Sequence, residues 1–298
     1  MKAHLVSLMC TVPPRIQSQI SESISLIAAV DYPAKWNNLL PELVQKMGSP
    51  DMAVVCGVLQ TANSIFKRFR YVDRSDSLYE VILYTLKIIQ EPLLVAFVET
   101  GKAVQALGND AAQLAPRFEA LRLMCRIFFS LNYQDLPEYF EDNMKPWMDE
   151  FSKYLQYKNP VLTDEDEEEE ASPIDKLQAA IVENISLYAD KDEEPFIPFL
   201  PNFTTLVWNL LISLTSYPKH DALVTKSIRF LSSLVQKQMH KDIFKETSTL
   251  QEIVSRIVIP NLMIREVSKM NHDRMHYAGI FIMYFCFSIF QCIFAIIE

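Results

Sequence analysis

The sequence predicts an all-α protein built as a HEAT-type helical-repeat superhelix, a partial α-solenoid. Half of the 298 residues are hydrophobic and glycine occurs only 5 times, so the usual materials of tight β-turns are scarce. Apolar residues recur at three- and four-residue spacing in successive segments, which is typical of amphipathic helices. Because these segments come in pairs at a loose period of roughly 40 to 60 residues, each pair is expected to cover its neighbour's apolar face.

The first pair consists of an amphipathic segment from Ile16 to Val30 and the stretch DYPAKWNNLLPELVQK that follows it. Asp31 is placed to accept the free backbone N–H groups of a first helical turn. Pro33 costs nothing in that turn, because its missing N–H would be unpaired anyway. Four apolar residues then predict the buried face of this second helix: Trp36, Leu39, Leu40 and Leu43.

The next helix is predicted to begin at Ser49 and Pro50 and to end in the basic stretch SIFKRFR. This stretch contains Lys67, Arg68 and Arg70. Positive charge near a helix C-terminus stabilises the helix dipole, which is a structural explanation for all three cations. The functional alternative is that Arg68 contacts a partner.

Two later stretches repeat the arrangement of the first pair. DLPEYFEDNMKPWMDEFSKYL follows an amphipathic segment from Phe118 to Leu131 and has Asp135 and Pro137 at its start. FIPFLPNFTTLVWNLLISL follows a segment from Ile174 to Tyr188 and has Pro201 near its start. The predicted buried stripes are Trp147, Phe151 and Leu155 in the first stretch and Trp208, Leu211 and Ile212 in the second.

The negative charge of the protein is concentrated in one segment. The net charge is −9, and an uninterrupted acidic run lies in the predicted loop 163–172, with Ser172 capping the next helix and Pro173 at its first position. Such a run is either a solvated linker or an electrostatic docking strip for a basic protein surface. Nucleic acid is not an expected partner, because phosphates would be repelled. The candidate partner-binding acids are Asp164, Glu165, Asp166, Glu167, Glu168, Glu169 and Glu170.

The sequence gives no support for catalytic, cofactor-binding or metal-binding residues, so an enzyme is not predicted. The glycines form neither a phosphate-binding loop nor a dinucleotide fingerprint, and no Gly-x-Ser-x-Gly elbow occurs. His272 and His276 have the spacing of a zinc-binding helix, but Asp273 stands where a metalloprotease needs glutamate. No Cys-x-x-Cys pair exists, so reduced thiols in a cytosolic or nuclear protein are expected for Cys10, Cys56, Cys125, Cys286 and Cys292.

Five blocks of sequence together resemble one family of nuclear transport receptors. They are SESISLIAAVDYPAKWNNLLPELV, GVLQTANSIFKRFR, FFSLNYQDLPEYFEDNMKPWMDEF, the acidic TDEDEEEE followed by NISLYADKDEEPF, and IVIPNL. In this order they are similar to the exportin-2 family of importin-alpha re-exporters, also called the cellular apoptosis susceptibility family, within the importin-beta superfamily. The resemblance covers residues 1–264, which are predicted to form the solenoid segment.

The resemblance implies a HEAT solenoid that binds importin-alpha cooperatively with Ran-GTP and carries it out of the nucleus. Release would follow GTP hydrolysis in the cytoplasm, and the hydrolysis belongs to Ran, so the chain needs no catalytic residue or cofactor. The implied partners are importin-alpha and Ran-GTP, and the implied locations are the nucleus and the cytoplasm. Family members are several times longer, so this chain resembles an internal portion of them.

Residues 265–298 form a predicted tail that does not share the resemblance. Its segment 277–297 contains no charged residue and meets the length criterion for a transmembrane helix. As a tail anchor it would keep the N-terminal body cytoplasmic, because cations precede it: Arg265, Lys269 and Arg274. Two interpretations stay open, a tail-anchored membrane protein with a cytosolic interaction domain, and a truncated or intron-retaining gene model.

Overall fold

The computed structural model describes residues 2–163, 170–191, 194–214, 217–236 and residue 255. Within these residues all regular elements are helical and no strand occurs, which confirms the predicted all-α class. The α-helices there are α1 Leu5–Thr11, α2 Pro14–Asp31, α3 Leu39–Met47, α4 Met52–Phe66, α5 Asp76–Ala106, α6 Ala111–Asn132, α7 Glu138–Asp142, α8 Met144–Leu155, α9 Pro173–Lys191, α10 Leu200–Ser213 and α11 Asp221–Gln236. Short 3-10 helices span Lys2–His4, Lys67–Arg70, Pro160–Leu162, Glu194–Phe199 and Pro218–His220.

The chain divides into two compact units. The first comprises Met1–Asp164 and Ser172–Asn184, and the second comprises Glu165–Ala171 and Ile185–Glu298. In the first unit, α4 packs between α2 and α6, so that these three helices form one row. A second row consists of α3, α5 and α8, in which α5 packs against both neighbours. Contacts of α3 with α4 and of α5 with α6 join the rows, which is the double layer expected when helical pairs stack.

Aromatic side chains fill the space between α5, α6 and α8. Trp147 is fully buried, with its ring centroid 4.8 Å from that of Phe97 on α5 and 4.5 Å from that of Phe128 on α6. Phe151 lies one turn further along α8 and meets the same two rings edge to face. The predicted stripe is confirmed, because its third member, Leu155, is also buried.

The helix that contains the first predicted stripe begins later than expected. Asp31 ends α2 and does not cap the next helix, Pro33 lies in a turn, and α3 begins only at Leu39. The cause is tertiary packing: Tyr32 is buried and its hydroxyl lies 2.9 Å from that of Thr85, so the chain turns towards α5 before the helix forms. The predicted buried side chains are nevertheless confirmed: Trp36, Leu39, Leu40 and Leu43.

The start of α4 also differs from the prediction. Asp51 is the N-cap, and its carboxylate accepts a 2.8 Å hydrogen bond from the backbone N–H of Ala53. Ser49 lies outside the helix, where its hydroxyl accepts from the Asp51 N–H. Both residue types cap helices well, and the residue nearer the apolar run takes the position.

The second unit has its own aromatic core. The ring of Tyr188 packs 5.6 Å from Phe196, and Phe196 stacks 5.7 Å from Phe203 at the start of α10. α10 packs along α11. Of the predicted stripe Trp208, Leu211 and Ile212, only Leu211 is buried, and the other two are half-buried.

Two described stretches, Asp76–Ala106 and Glu194–Ser213, have the length and apolar composition that could cross a membrane. This indication is weak, because core helices of soluble proteins pass the same test. In α5 the apolar residues Ile89, Leu93 and Phe97 are indeed fully buried within the fold. The predicted apolar helix 277–297 and the boundary at residue 264 lie outside the described residues.

Candidate partner-binding surface

The N-terminal end of the acidic loop is held by one asparagine. The side chain of Asn159 caps the 3-10 helix Pro160–Leu162 by accepting a 3.0 Å hydrogen bond from the N–H of Val161. Its amide also donates to the carbonyl oxygen of Gly108 at 3.3 Å, in the connection between α5 and α6. Thr163 donates back to the Asn159 carbonyl at 3.2 Å. The chain therefore enters the acidic loop from a fixed position.

The C-terminal end of the loop is held by the start of α9. The Ser172 hydroxyl accepts from the N–H of Asp175 at 3.0 Å, and the Asp175 carboxylate accepts from the Ser172 N–H at 3.4 Å. This reciprocal pair is a capping box, and it confirms the predicted start at Ser172 and Pro173. Both ends of the loop are thus anchored.

A buried glutamine ties α9 to the end of α8 close to this loop. The Gln178 amide donates to three carbonyl oxygens, those of Tyr154 at 3.1 Å, Leu155 at 3.4 Å and Tyr157 at 3.3 Å. These carbonyls belong to the last turn of α8 and the residues after it, where a helix leaves acceptors without intrahelical partners. Gln178 therefore fixes the distance between the two helices that the loop connects.

The structure describes only one of the seven candidate acids. Glu170 is exposed, while 164–169 lie outside the described residues. Thr163, at the other end, is also exposed. The docking role of the run stays a prediction.

Arg68 makes a structural contact within the first unit. Its guanidinium is half-buried and donates a 3.0 Å hydrogen bond to the carbonyl oxygen of Ala28, in the last turn of α2. Burial lowers the pKa of Arg68. Positive charge is favourable at a helix C-terminus. Arg68 lies at the C-terminus of α2, whereas the sequence predicted this effect for its own helix. Its predicted partner contact stays a prediction.

A larger contact surrounds Arg70, which the sequence did not single out as a site. The Arg70 guanidinium donates to the Ser130 hydroxyl at 3.0 and 2.8 Å and to the Arg126 carbonyl at 3.0 Å. It also lies 4.7 Å from the ring centroid of Phe129, within the range of a cation–π contact. Positive charge in SIFKRFR was the only available signal, because Ser130 is 60 positions away in sequence.

Three of the five cysteines lie among the described residues. Cys10, Cys56 and Cys125 are free, and burial raises the pKa of Cys56 to about 11, so little reactive thiolate forms near neutral pH. No group of three His, Cys, Asp or Glu side chains suited to a metal ion occurs among the described residues. The pairs His272 and His276, and Cys286 and Cys292, lie outside them.

Comparison with known proteins confirms the resemblance seen in the sequence. Residues 65–273 match the family model described as Cse1. Exportin-2 of Danio rerio is 40% identical over 268 residues, which cover 90% of this chain and 28% of that protein. Exportin-2 of Homo sapiens is 40% identical over 264 residues, which cover 89% of this chain and 27% of that protein. The chain therefore spans less than a third of the length of these curated relatives.

A solved structure entitled "The exportin Cse1 in its cargo-free, cytoplasmic state" has a similar fold. It matches with a TM-score of 0.88 and 33% sequence identity, over 99% of this chain and 34% of that chain. That exportin is a HEAT-repeat solenoid, and the match confirms the predicted fold class.

Proposed function

The chain belongs to the Cse1 family of exportins, and from this premise we propose that it is a segment of a nuclear transport receptor. It acts as a non-catalytic scaffold that binds importin-alpha together with Ran-GTP. The observation that carries the proposal is the match of 40% identity to exportin-2 over nine-tenths of the chain. We place its activity in the nucleus and the cytoplasm, between which an exporter must move.

The scaffold needs no catalytic group of its own. If importin-alpha and Ran-GTP both favour the same arrangement of stacked helices, each raises the affinity of the scaffold for the other by the same factor. Release then requires only that Ran hydrolyse its GTP. The buried aromatic contacts between α5, α6 and α8 are suited to transmit such a change, because packed cores move as units and do not deform locally.

The acidic loop is the proposed docking strip for a basic surface of importin-alpha or Ran. Its ends are held by Asn159 and by the capping box at Ser172, so less chain entropy is lost on docking than for a free tail. The carboxylates 164–170 supply charge that attracts a basic partner over a Debye length of about 8 Å at physiological salt. Arg68 is a secondary candidate contact, from the part of its guanidinium that remains exposed.

The experiment that tests the scaffold proposal is equilibrium binding of the full chain to importin-alpha, with and without Ran-GTP. Binding that strengthens when Ran-GTP is added is expected. Absence of binding to both proteins, by a chain that circular dichroism shows to be folded and helical, would mean that the likeness is limited to ancestry and fold.

The docking strip is tested with two matched triple variants. Replacing Glu168, Glu169 and Glu170 with glutamine is expected to weaken binding to importin-alpha or Ran-GTP by roughly tenfold and to reduce its salt dependence. The control makes the same charge change at three exposed positions elsewhere, Glu22, Glu80 and Glu91. Equal affinities of the two variants would show that the strip is only a solvated linker.

A further inference from the structure

The junction between α4 and α5 is fixed to the C-terminal half of α6. Besides the Arg70 contacts, the amide of Gln134 donates to the carbonyl oxygens of Phe69 at 2.8 Å and Val72 at 3.2 Å. Arg74 forms an ion pair of 3.2 Å with Asp135 just after α6. The segment 67–74 is therefore a rigid platform, which lowers the entropy that a partner would lose on binding to it.

Cations and tyrosines gather on this platform. Lys67 and Arg70 are three residues apart in a 3-10 helix, where such side chains lie on the same side. The Arg126 carbonyl accepts a 3.0 Å hydrogen bond from Arg70, and burial together with the Arg126 charge lowers the pKa of Arg70. Tyr71 follows Arg70 directly and is 73% exposed. Tyr133 is 37% exposed, and its ring centroid lies 5.6 Å from that of Phe129, the ring that Arg70 contacts. We name these three cations and two tyrosines the basic tyrosine patch.

The charges of the patch are only partly compensated. Arg70 donates to Ser130 and to the Arg126 carbonyl, and the Glu183 carboxylate offsets part of the lowering of its pKa by burial and by Arg126. By contrast, within the described ranges no carboxylate pairs with the side chain of Arg126 or Lys67. A ligand that brings carboxylates to these two side chains would relieve the repulsion between the Arg126 and Arg70 guanidinium groups.

We propose that the basic tyrosine patch binds an acidic segment of a protein partner. Arg126 and Lys67 pair with its carboxylates, while the Tyr71 and Tyr133 rings pack on its apolar side chains. Arginine and tyrosine are the residue types enriched at the energetic centres of protein interfaces. This site goes beyond the proposed function. It selects an acidic segment of a partner, whereas the acidic loop is proposed to select a basic surface.

A protein partner is favoured over nucleic acid by the charge of the whole chain. The net charge of −9 opposes the approach of a polyphosphate more strongly than that of a short peptide. A short acidic peptide carries fewer charges and can be seated locally on Arg126 and Lys67.

The test uses the full chain and fluorescence anisotropy of a labelled acidic peptide of about ten residues, glutamate with two interspersed phenylalanines. Saturable binding is expected. The double variant Lys67→Glu, Arg126→Glu should weaken it by at least roughly tenfold, and Tyr71→Ser should weaken it by roughly threefold. Arg126→Gln, a milder change, should still weaken it measurably and covers the case in which the double variant does not fold.

The matched control is Arg15→Glu with Lys87→Glu, which makes the same charge change at exposed positions away from the patch. This control should lower the affinity for the peptide by less than about twofold, because distant charges are screened. An equal loss in both double variants would overturn the proposal, and so would equal affinity for a single-stranded oligothymidine of similar length. Because importin-alpha and Ran are absent from this assay, its failure would leave the proposed function unaffected.

Discussion

Replacing Gln178 with leucine is expected to lower the free energy of unfolding by about 2 kcal/mol. The side chain is 3% exposed, and its amide donates to three backbone carbonyls at the end of α8. The Tyr154 carbonyl oxygen still accepts a hydrogen bond from the N–H of Tyr157, so losing the Gln178 bond there costs little stability. The other two acceptors lose the donor that the structure shows, and each unsatisfied buried acceptor costs about 1 kcal/mol or more.

The assay is urea unfolding followed by circular dichroism, with wild type and Gln178→Leu side by side. For an m-value of about 2 kcal/mol per molar, the expected shift of the midpoint is about 1 M towards lower urea. Gln60→Leu, at an exposed position of α4, makes the same chemical change and should shift the midpoint by less than about 0.25 M. A change below about 0.5 kcal/mol for Gln178→Leu would refute the reasoning, because it would mean that the carbonyls find other donors.

Three further predictions concern packing, capping and titration. Trp147→Ala should lower the free energy of unfolding by about 4 kcal/mol, because the ring is fully buried, whereas Trp208→Ala, at a half-buried position, should cost less than half of that in the same urea assay. Ser172→Ala should cost about 1 kcal/mol by loss of the N-cap, and Ser172→Asp, which also caps, should restore the urea midpoint. Burial raises the pKa of Tyr32 from 10.0 to about 12 and that of Cys56 from 9.0 to about 11. Both groups are therefore deprotonated more easily when unfolded, so their contribution to stability is complete below pH 9 and is lost as the pH rises towards 12. Urea midpoints that do not fall between pH 9 and pH 11 would contradict this prediction.

The buried stripes were predictable from the sequence because periodicity is a local signal. Trp36 and Trp147 were placed correctly by their spacing to the next apolar residues, and both are buried. The start of α9 was also predictable, since Ser172 and Pro173 act on the turn that they begin. Because both residues act within one turn, the sequence alone locates the start of this helix.

The starts of α3 and α4 were predicted wrongly because local rules compete with distant contacts. Asp31 is a good capping residue, but the burial of Tyr32 against Thr85, 53 positions away, turns the chain before a helix can begin. The Arg70 contacts were not predictable at all. Their acceptors on α6 lie 56 and 60 positions away, and all three bonds go to a hydroxyl or a carbonyl oxygen, which are neutral groups that no charge pattern reveals.

Several helices of the first unit are joined by a side chain that donates to a neighbour's backbone. Arg68 donates to the Ala28 carbonyl, Arg70 to the Arg126 carbonyl, and the buried Asn184 amide to the Cys125 carbonyl at 3.0 Å. A carbonyl oxygen is present whatever residue occupies the acceptor position. Each such joint therefore constrains the identity of the donor alone, and the facing position is free to change during evolution as long as its own packing allows. Conserving one donor residue per contact is thus enough to keep two helices in register, while the residues around the acceptor can change and create new binding surfaces.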